Sequence, residues 1–376
     1  MPAAELDWGW IARLSAAHLV NDLNQSAVVG VLPVLVAQRG LSYVVASCLM
    51  VALTLSSAVV QPALGQLADR RPGRSPVRLA LLVGAAGVAC LGLLGTTAGV
   101  AIAVLTIGAA TAGFHPGALE TLGRTAGSRG TTALAVFAVG GNLGTALGPV
   151  VAAALVGALG MPGLGLALVP SIAMAALVAE RRAGGARPVR PGGAARGPVR
   201  WAGFARFIGV LVVRSALAYF VATFVALYLV RHAGMTTGRA GLLVTATLVS
   251  GVVVSPVAAW LADRTGDRAV LLGSLLPLGP LLYLLPSCAG ALRVACLLAI
   301  GAATMAPYSV AIAAAQRCLP GREGLAGGIA MGVGSVGSVA LLGFGVIADR
   351  AGLPAAFHAA AVLPAVAALL AVPRST

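Results

Sequence analysis

Long apolar runs recur along almost the whole chain, and they restrict its fold more than any other feature. A run of about 18 or more apolar residues with few charges is typical of a membrane-spanning helix. The 376 residues are 59% hydrophobic and only 9% charged, with a mean hydropathy of +0.98, which is far too apolar for a soluble domain. We mark twelve such runs, at about 9–37, 42–66, 77–97, 98–122, 131–159, 161–180, 206–231, 238–262, 268–288, 290–317, 323–348 and 354–372. The sequence therefore predicts an all-α integral membrane protein with twelve transmembrane helices.

The basic residues predict the orientation of these helices. All 25 of them are arginine, and they concentrate in every second connection between the apolar runs. Because cytoplasmic loops of membrane proteins carry an excess of basic residues, this places both termini in the cytoplasm of a bacterial inner membrane. The net charge of +15 is then explained by topology, and we expect no nucleic-acid partner.

The longest connection divides the chain into two halves. It is rich in Arg, Gly and Pro and contains no acid, which is typical of a flexible tether. We predict an N-terminal six-helix half at 1–180, a cytoplasmic linker at 181–205 and a C-terminal six-helix half at 206–376. The five cysteines have no C-x-x-C spacing, so we expect neither a disulfide framework nor a metal site, and no cofactor.

The first apolar run is unusual because it contains a cluster of polar side chains, namely His18, Asn21, Asp22 and Gln25. Residues three and four apart are neighbours on one helix face, so these four groups lie together. A carboxylate at the bilayer centre costs about 2.5–3.5 kcal/mol, which means that the face must contact protein or a water-filled cavity. We therefore predict a transporter in which Asp22 carries a proton, His18 orients or shares it, and Asn21 and Gln25 contact the substrate.

Three later runs add candidates. His115 and Glu120 lie in the fourth run and are possible proton-coupling groups, although a structural hydrogen bond for His115 and an ion pair with Arg124 for Glu120 are alternatives. We expect Asn142 and Arg214 to contact the substrate. Arg214 either pairs with Asp22 or extends to the cytoplasmic interface. In the seventh run the aromatic residues Phe220, Phe224 and Tyr228 form a stripe that contacts the substrate or packs in the core.

Two short motifs resemble those of the major facilitator superfamily. Residues 65–74 and 259–268 are similar decapeptides, and they match its loop motif G-x-x-x-D-R-x-G-R approximately. Gly73 lies one residue late, and Ala259 and Asp267 replace the expected Gly and basic residue. Residues 144–153 resemble its antiporter motif. The resemblance implies a gating role for Gly65, Asp69, Arg70, Gly73, Arg74, Asp263, Arg264, Gly144, Gly148 and Pro149; the alternatives are a topological anchor and general small-residue packing.

The similarity extends over nearly the whole chain and is greatest with the fosmidomycin-resistance family of major facilitators. It rests on residues 18–22, 55–62, 114–116, 139–142 and 319–322, in that order, and on the glycine-dense run 324–349. Members of that family tend to carry an acid directly after Phe-His-Pro, whereas this chain has Gly117 there and its acid at Glu120. The resemblance implies alternating access between two halves, with the site between them.

These observations predict a monomeric, proton-coupled antiporter that exports a small drug-like or anionic compound such as fosmidomycin and is driven by the proton gradient alone. One alternative is a metabolite importer of the same fold that works by proton symport. Another is a membrane sensor that transports nothing, although no effector domain is evident. The chain has no H-E-x-x-H or paired-Asp metal motif, so we do not expect an enzyme.

Overall fold

The computed structural model describes residues 7–70, 76–125, 130–178, 198–320, 326, 329–330 and 333–372, and at 62–70, 120, 123–125, 130–132 and 135 it describes the backbone alone. Within these ranges every regular element is helical. The α-helices are α1 (Trp8–Arg39), α2 (Tyr43–Arg70), α3 (Val77–Leu93), α4 (Thr97–Thr125), α5 (Gly130–Leu159), α6 (Leu168–Leu177), α7 (Trp201–Arg231), α8 (Thr237–Thr265), α9 (Asp267–Leu284), α10 (Gly290–Cys318), α11 (Ala340–Ala351), α12 (Leu353–Ala360) and α13 (Leu363–Ala371). Short 3₁₀ segments at Met161–Ala167, Leu285–Ser287 and Gly334–Val339 connect or extend them.

The helices agree with the predicted transmembrane pattern. In the described part of the chain, ten helical segments are long and apolar enough to cross a membrane. Two shorter apolar segments, Val77–Leu93 and Met161–Leu177, coincide with the third and sixth predicted runs. The prediction of an all-α, twelve-helix integral membrane fold is confirmed.

Contacts divide the chain into two compact units. The N-terminal unit comprises Met1–Val34 and Ala52–Arg190, and the C-terminal unit comprises Leu35–Val51 and Pro191–Thr376. The interior of the N-terminal unit includes side chains of α1, α3, α4 and α5, among them Leu14, Leu81, Phe114 and Phe137. That of the C-terminal unit is formed mainly by α7, α8, α9, α10 and α13.

The predicted linker ends earlier than expected. The sequence predicts a linker at 181–205, whereas α7 begins at Trp201. The reason is an apolar contact made by the first turn of α7, which the polar composition of the preceding residues does not indicate. Phe204 is only 7% exposed and packs in a small cluster with Cys318 and Leu319, so the first turn of α7 is stabilised by the end of α10. Residues 179–197 lie outside the described ranges.

A carboxylate from the end of α11 binds the start of α2. The two oxygens of Asp349 accept hydrogen bonds from the backbone N–H groups of Tyr43 and Val44, at 2.7 and 2.9 Å. The approach is close because Gly345 has no side chain: a Cβ there would lie 2.9 Å from the Tyr43 carbonyl oxygen and 2.8 Å from Ser47 Oγ. Asp349 satisfies two free N–H groups of α2 and places a negative charge at the positive end of its dipole.

We expect the change Asp349→Ala to lower the stability of the protein by about 0.5–2 kcal/mol, the usual effect of losing a helix N-cap. The measurement is thermal unfolding of the purified protein in detergent. Asp349→Asn is the matched control, because its amide oxygen can still accept one of the two hydrogen bonds, and it should be less harmful. Equal melting temperatures for the wild type and the alanine variant would contradict this role.

Candidate functional site

Three ionisable side chains meet in the interior of the N-terminal unit. His18 and Asp22 come from α1, and His115 comes from α4. The Nε2 atoms of the two histidines are 3.2 Å apart, and Asp22 lies 3.3 Å from His18 Nε2 and 3.8 Å from His115 Nε2. We call His18, Asp22 and His115 the triad. The sequence predicted the His18–Asp22 pair from their i, i+4 spacing, and His115 completes it from a second helix.

Backbone carbonyls fix the tautomer of both histidines. His18 Nδ1 is 2.9 Å from the carbonyl oxygen of Phe137, and His115 Nδ1 is 3.0 Å from that of Thr111. A carbonyl oxygen can only accept a hydrogen bond, so each Nδ1 must carry hydrogen and donate it. When a ring is neutral, its Nε2 is therefore an acceptor.

The triad consequently lacks a proton when both rings are neutral and Asp22 is ionised. In that state two Nε2 lone pairs and a carboxylate would face one another with no hydrogen between them, which is repulsive. One added proton resolves this, because it can form a hydrogen bond from one Nε2 to the other or to Asp22. One ligand atom from each side chain lies within 4.8 Å of the others, so a single small cation can contact all three.

The rest of the pocket orients the triad. Asn21 Nδ2 donates to Asp22 at 2.9 Å, and Thr145 Oγ1 donates to it at 3.4 Å. The His18 ring stacks on the rings of Phe137 and Phe114, with centroid distances of 4.1 and 5.6 Å. Thr145 was not among the predicted residues, although it lies on α5 three residues after Asn142, which was.

The triad is more enclosed on the α1 side than on the α4 side. The side chain of His18 is 9% exposed and that of Asp22 is 12% exposed, whereas 27% of the His115 side chain remains accessible. A proton or water molecule would therefore reach the triad most directly through His115. This asymmetry suits a relay with one accessible and two enclosed members.

A row of glycines on α5 brings that helix against the triad. A Cβ at Gly140 would overlap the backbone of Ser15, and a Cβ at Gly144 would overlap that of Leu19. A Cβ at Gly141 would overlap the His18 ring itself. Further along, Gly148 packs on Ser26, and Pro149 packs on Gly30. Residues 144–153, which resemble the antiporter motif, thus contribute to the surface of α5 that contacts α1, as expected for small-residue packing. The gating role of this segment stays a prediction.

The other predicted polar residues, and Asn24 on the first helix, do not contact the triad in the described structure. Asn24, which the sequence did not single out, binds Ser171 Oγ on α6 at 3.0 Å. Gln25 is half-buried, and Asn142 on α5 is exposed. Glu120 lies in α4, but its side chain is outside the described residues, so its expected proton-coupling role stays a prediction.

In the C-terminal unit, Arg214 is 6% exposed and held on α10. Its Nε donates to the Thr304 carbonyl oxygen at 2.9 Å, an Nη2 hydrogen points to Met305 Sδ, and the guanidinium lies 4.5 Å above the ring of Tyr308. Asp22, the partner that the sequence suggested, is bonded within the N-terminal unit as described above. The side chain is buried among these groups, which favours an interior position over extension to the interface.

The aromatic stripe of α7 lies in the interior. Phe220 and Phe224 are fully buried and Tyr228 is 1% exposed. The rings of Phe220 and Phe224 pack on each other and on Phe344, and those of Phe220 and Tyr228 pack on Phe357, with centroids about 5–6 Å apart as aromatic pairs prefer. The Tyr228 hydroxyl donates to the Pro286 carbonyl oxygen. This arrangement favours the packing interpretation over substrate contact.

The two copies of the loop motif, residues 65–74 and 259–268, are described to different extents. In the first copy, only the backbone is described at Gly65, Asp69 and Arg70, and Gly73 and Arg74 lie outside the described residues. In the second, Asp263 and Arg264 are exposed at the end of α8, where Arg264 stacks on Trp260. Gly266 ends the helix with φ +87°, a left-handed conformation that glycine adopts readily.

The substituted position in this second turn also has a clear role. Asp267, which stands where the loop motif has a basic residue, forms an ion pair with Arg317 at the end of α10. The acid thereby joins the start of α9 to the end of α10 inside the C-terminal unit.

Comparison with known proteins was consistent across sequence and structure. Residues 14–230 and 206–376 match the model of the Major Facilitator Superfamily. The chain is 25% identical to the fosmidomycin resistance protein of Escherichia coli (strain K12) over 96% of this chain and 91% of that protein. It is 28% identical to the uncharacterized MFS-type transporter YfnC of Bacillus subtilis (strain 168), over 93% and 89%.

Two solved structures share the fold. One is a bacterial homolog of the human lysosomal transporter Spinster in an inward-facing and occupied conformation, with a TM-score of 0.80 at 15% identity, covering 96% of this chain and 95% of that one. The other is the nucleoside transporter NupG, with a TM-score of 0.73 at 12% identity, covering 96% and 97%.

Proposed function

This chain belongs to the major facilitator superfamily, and we propose that it is a proton-coupled antiporter that exports a small drug-like or anionic compound by alternating access. It is a multi-pass membrane transporter and not an enzyme. The finer statement rests mainly on one observation, the triad of three acceptor groups that needs an added proton.

The triad provides a physical means of coupling. Asp22 is the proton carrier in this proposal, His18 shares the proton, and His115 passes it to or from water. A change in the hydration of Asp22, or in its distance from the histidines, changes its proton affinity. Two access states that differ in either respect would load the proton on one side of the membrane and release it on the other.

The direction of transport is proposed from similarity. The Escherichia coli relative is named for resistance to fosmidomycin, and export is the simplest way in which a transporter produces resistance. We place the chain in the bacterial inner membrane with both termini cytoplasmic, as a monomer that uses the proton gradient and no cofactor. Asn21, Gln25, Asn142 and Arg214 remain the proposed substrate contacts.

The test is flux driven by a pH gradient in proteoliposomes that contain the purified wild type. The panel is fosmidomycin, several lipophilic drugs and several organic acids. We expect at least one compound to move against the proton flow, at a rate well above that of protein-free liposomes. Movement in the same direction as the protons would instead favour the metabolite importer, and a complete lack of coupled movement with every compound would contradict proton coupling.

A further inference from the structure

Arg214 is a buried cation that pairs with no carboxylate among the described residues of its own unit. The described acids of the C-terminal unit are Asp263, Asp267 and Asp349, and all three lie near helix ends. Asp267 pairs with Arg317, and Asp349 binds the start of α2. Arg214 lies near the middle of α7, and its described partners are a carbonyl oxygen, a thioether sulfur and an aromatic ring.

The guanidinium also has unused donors. It carries five N–H bonds, of which one binds the Thr304 carbonyl oxygen and one points to Met305 Sδ. Three remain on the Nη atoms without an acceptor among the described residues. A buried charge is costly unless it is paired and hydrogen-bonded, so this arrangement is stable only with an anion or water at the Nη edge.

Hydroxyl groups of neighbouring residues lie near the Arg214 guanidinium and are possible further hydrogen-bond donors to an anion. Tyr219 and Tyr308 both lie near the Arg214 guanidinium, and Ser335 lies near the Tyr219 hydroxyl. All three hydroxyl residues are partly exposed, unlike the aromatic stripe on the same helix. An anion at the Nη edge could therefore also accept hydrogen bonds from phenolic hydroxyls.

A tightly packed segment supports this environment. The 3₁₀ segment Gly334–Val339, which contains Ser335, lies against α7 beside Arg214. A Cβ at Gly337 would lie 2.8 Å from the Val212 carbonyl oxygen and 2.8 Å from Ser215 Cβ, so only glycine allows this approach. The Tyr308 ring also contacts the guanidinium, whose Cζ lies 4.5 Å from the ring centroid. The Nη edge is thus held in one orientation before a ligand arrives.

We propose that Arg214, with the hydroxyl groups of Tyr219 and Tyr308, binds an oxyanion of the transported compound, either a carboxylate or a phosphate-type group. The proposal rests on the function proposed above and narrows its substrate class from drug-like or anionic compounds to those that carry such an oxyanion. A planar guanidinium matches these groups in a bidentate manner, which a lysine ammonium does not.

The experiment measures equilibrium binding to the purified protein in lipid-free detergent, with no gradient, by ligand-induced thermal stabilisation. The probe is butylphosphonate, and its neutral diethyl ester is the control ligand with the same hydrocarbon chain. We expect the wild type to bind the anion and not the ester. Arg214→Gln should weaken binding by about 10- to 100-fold, because it removes hydrogen bonds from a charged donor.

Matched variants separate recognition from folding. Arg206→Gln makes the same change of charge eight residues earlier on α7, where the guanidinium binds the Leu370 carbonyl oxygen, and it should leave binding unchanged. If Arg214→Gln does not fold, Tyr219→Phe removes a single hydroxyl and should weaken binding by about two- to tenfold. Equal binding of anion and ester, or undiminished binding by Arg214→Gln, would overturn the proposal.

Further outcomes distinguish a lipid site from a substrate site, and failure of the anion proposal from failure of the proposed antiport. Arg214-dependent binding of phosphatidylglycerol in nanodiscs without binding of butylphosphonate would make this a lipid site and overturn the proposal. Binding of butylphosphonate by a protein that shows no proton-coupled flux would support the anion site and contradict the proposed antiport. Proton-coupled flux of neutral compounds that is unaffected by Arg214→Gln would support the proposed antiport and contradict the anion site.

Discussion

Asp22→Asn is expected to abolish transport driven by a pH gradient while leaving the protein folded. The substitution keeps the size of the side chain but removes the only carboxylate of the triad. Without that negative charge, an added proton on the two histidines is no longer compensated, and the asparagine amide can itself donate to a histidine Nε2. The proton would then be neither needed nor held, so gradient-driven accumulation should fall to the level of protein-free liposomes.

Exchange of labelled for unlabelled substrate distinguishes a coupling defect from a folding defect. Exchange at equal pH involves no net proton movement, so Asp22→Asn should retain it. Asp267→Asn is the matched control: it makes the same change of charge at an exposed ion pair with Arg317 and should keep both activities. If Asp22→Asn accumulated substrate as the wild type does, Asp22 would not be the carrier, and His115 and Glu120 would be the next candidates.

The fold could be predicted from the sequence because its main determinant is local. Each transmembrane helix is marked by its own apolar run, and no knowledge of distant residues is needed to find it. The same is true of the His18–Asp22 pair, which helical spacing alone brings together. For Arg214, local reasoning placed the residue in the middle of an apolar run but left open whether its side chain is buried or extends to the interface.

The contacts that complete the sites are not local, and the sequence alone did not reveal them. His115 reaches His18 across 97 positions of the chain, and the Asp349 carboxylate reaches Tyr43 across 306. The proton argument depends on the carbonyl oxygens of Phe137 and Thr111, which every residue possesses and no motif marks. The glycine row on α5 was visible, but not which α1 side chain each glycine would contact.

Gly141→Ala is expected to remove proton coupling by displacing His18. The added Cβ would overlap Cε1 and Nε2 of the ring and lie 2.8 Å from Nδ1. The ring has no free direction of movement, because Nδ1 is bonded to the Phe137 carbonyl oxygen, its faces pack on aromatic rings, and Nε2 is bonded within the triad. Relief of the overlap must therefore break one of these contacts, at about the 1–3 kcal/mol that overpacking costs.

The same helix offers a matched control for this substitution. A Cβ at Gly157 would meet nothing within 4 Å, so Gly157→Ala adds the same methyl group to α5 without a clash. It should be neutral, or stabilising by about 0.5–1 kcal/mol, because alanine favours the helix. Both variants are measured for gradient-driven flux, equal-pH exchange and thermal unfolding. Loss of driven flux in Gly141→Ala alone, with exchange retained, supports a triad that works only when His18 is in place. Driven flux equal to that of Gly157→Ala would mean that coupling does not depend on the position of this ring.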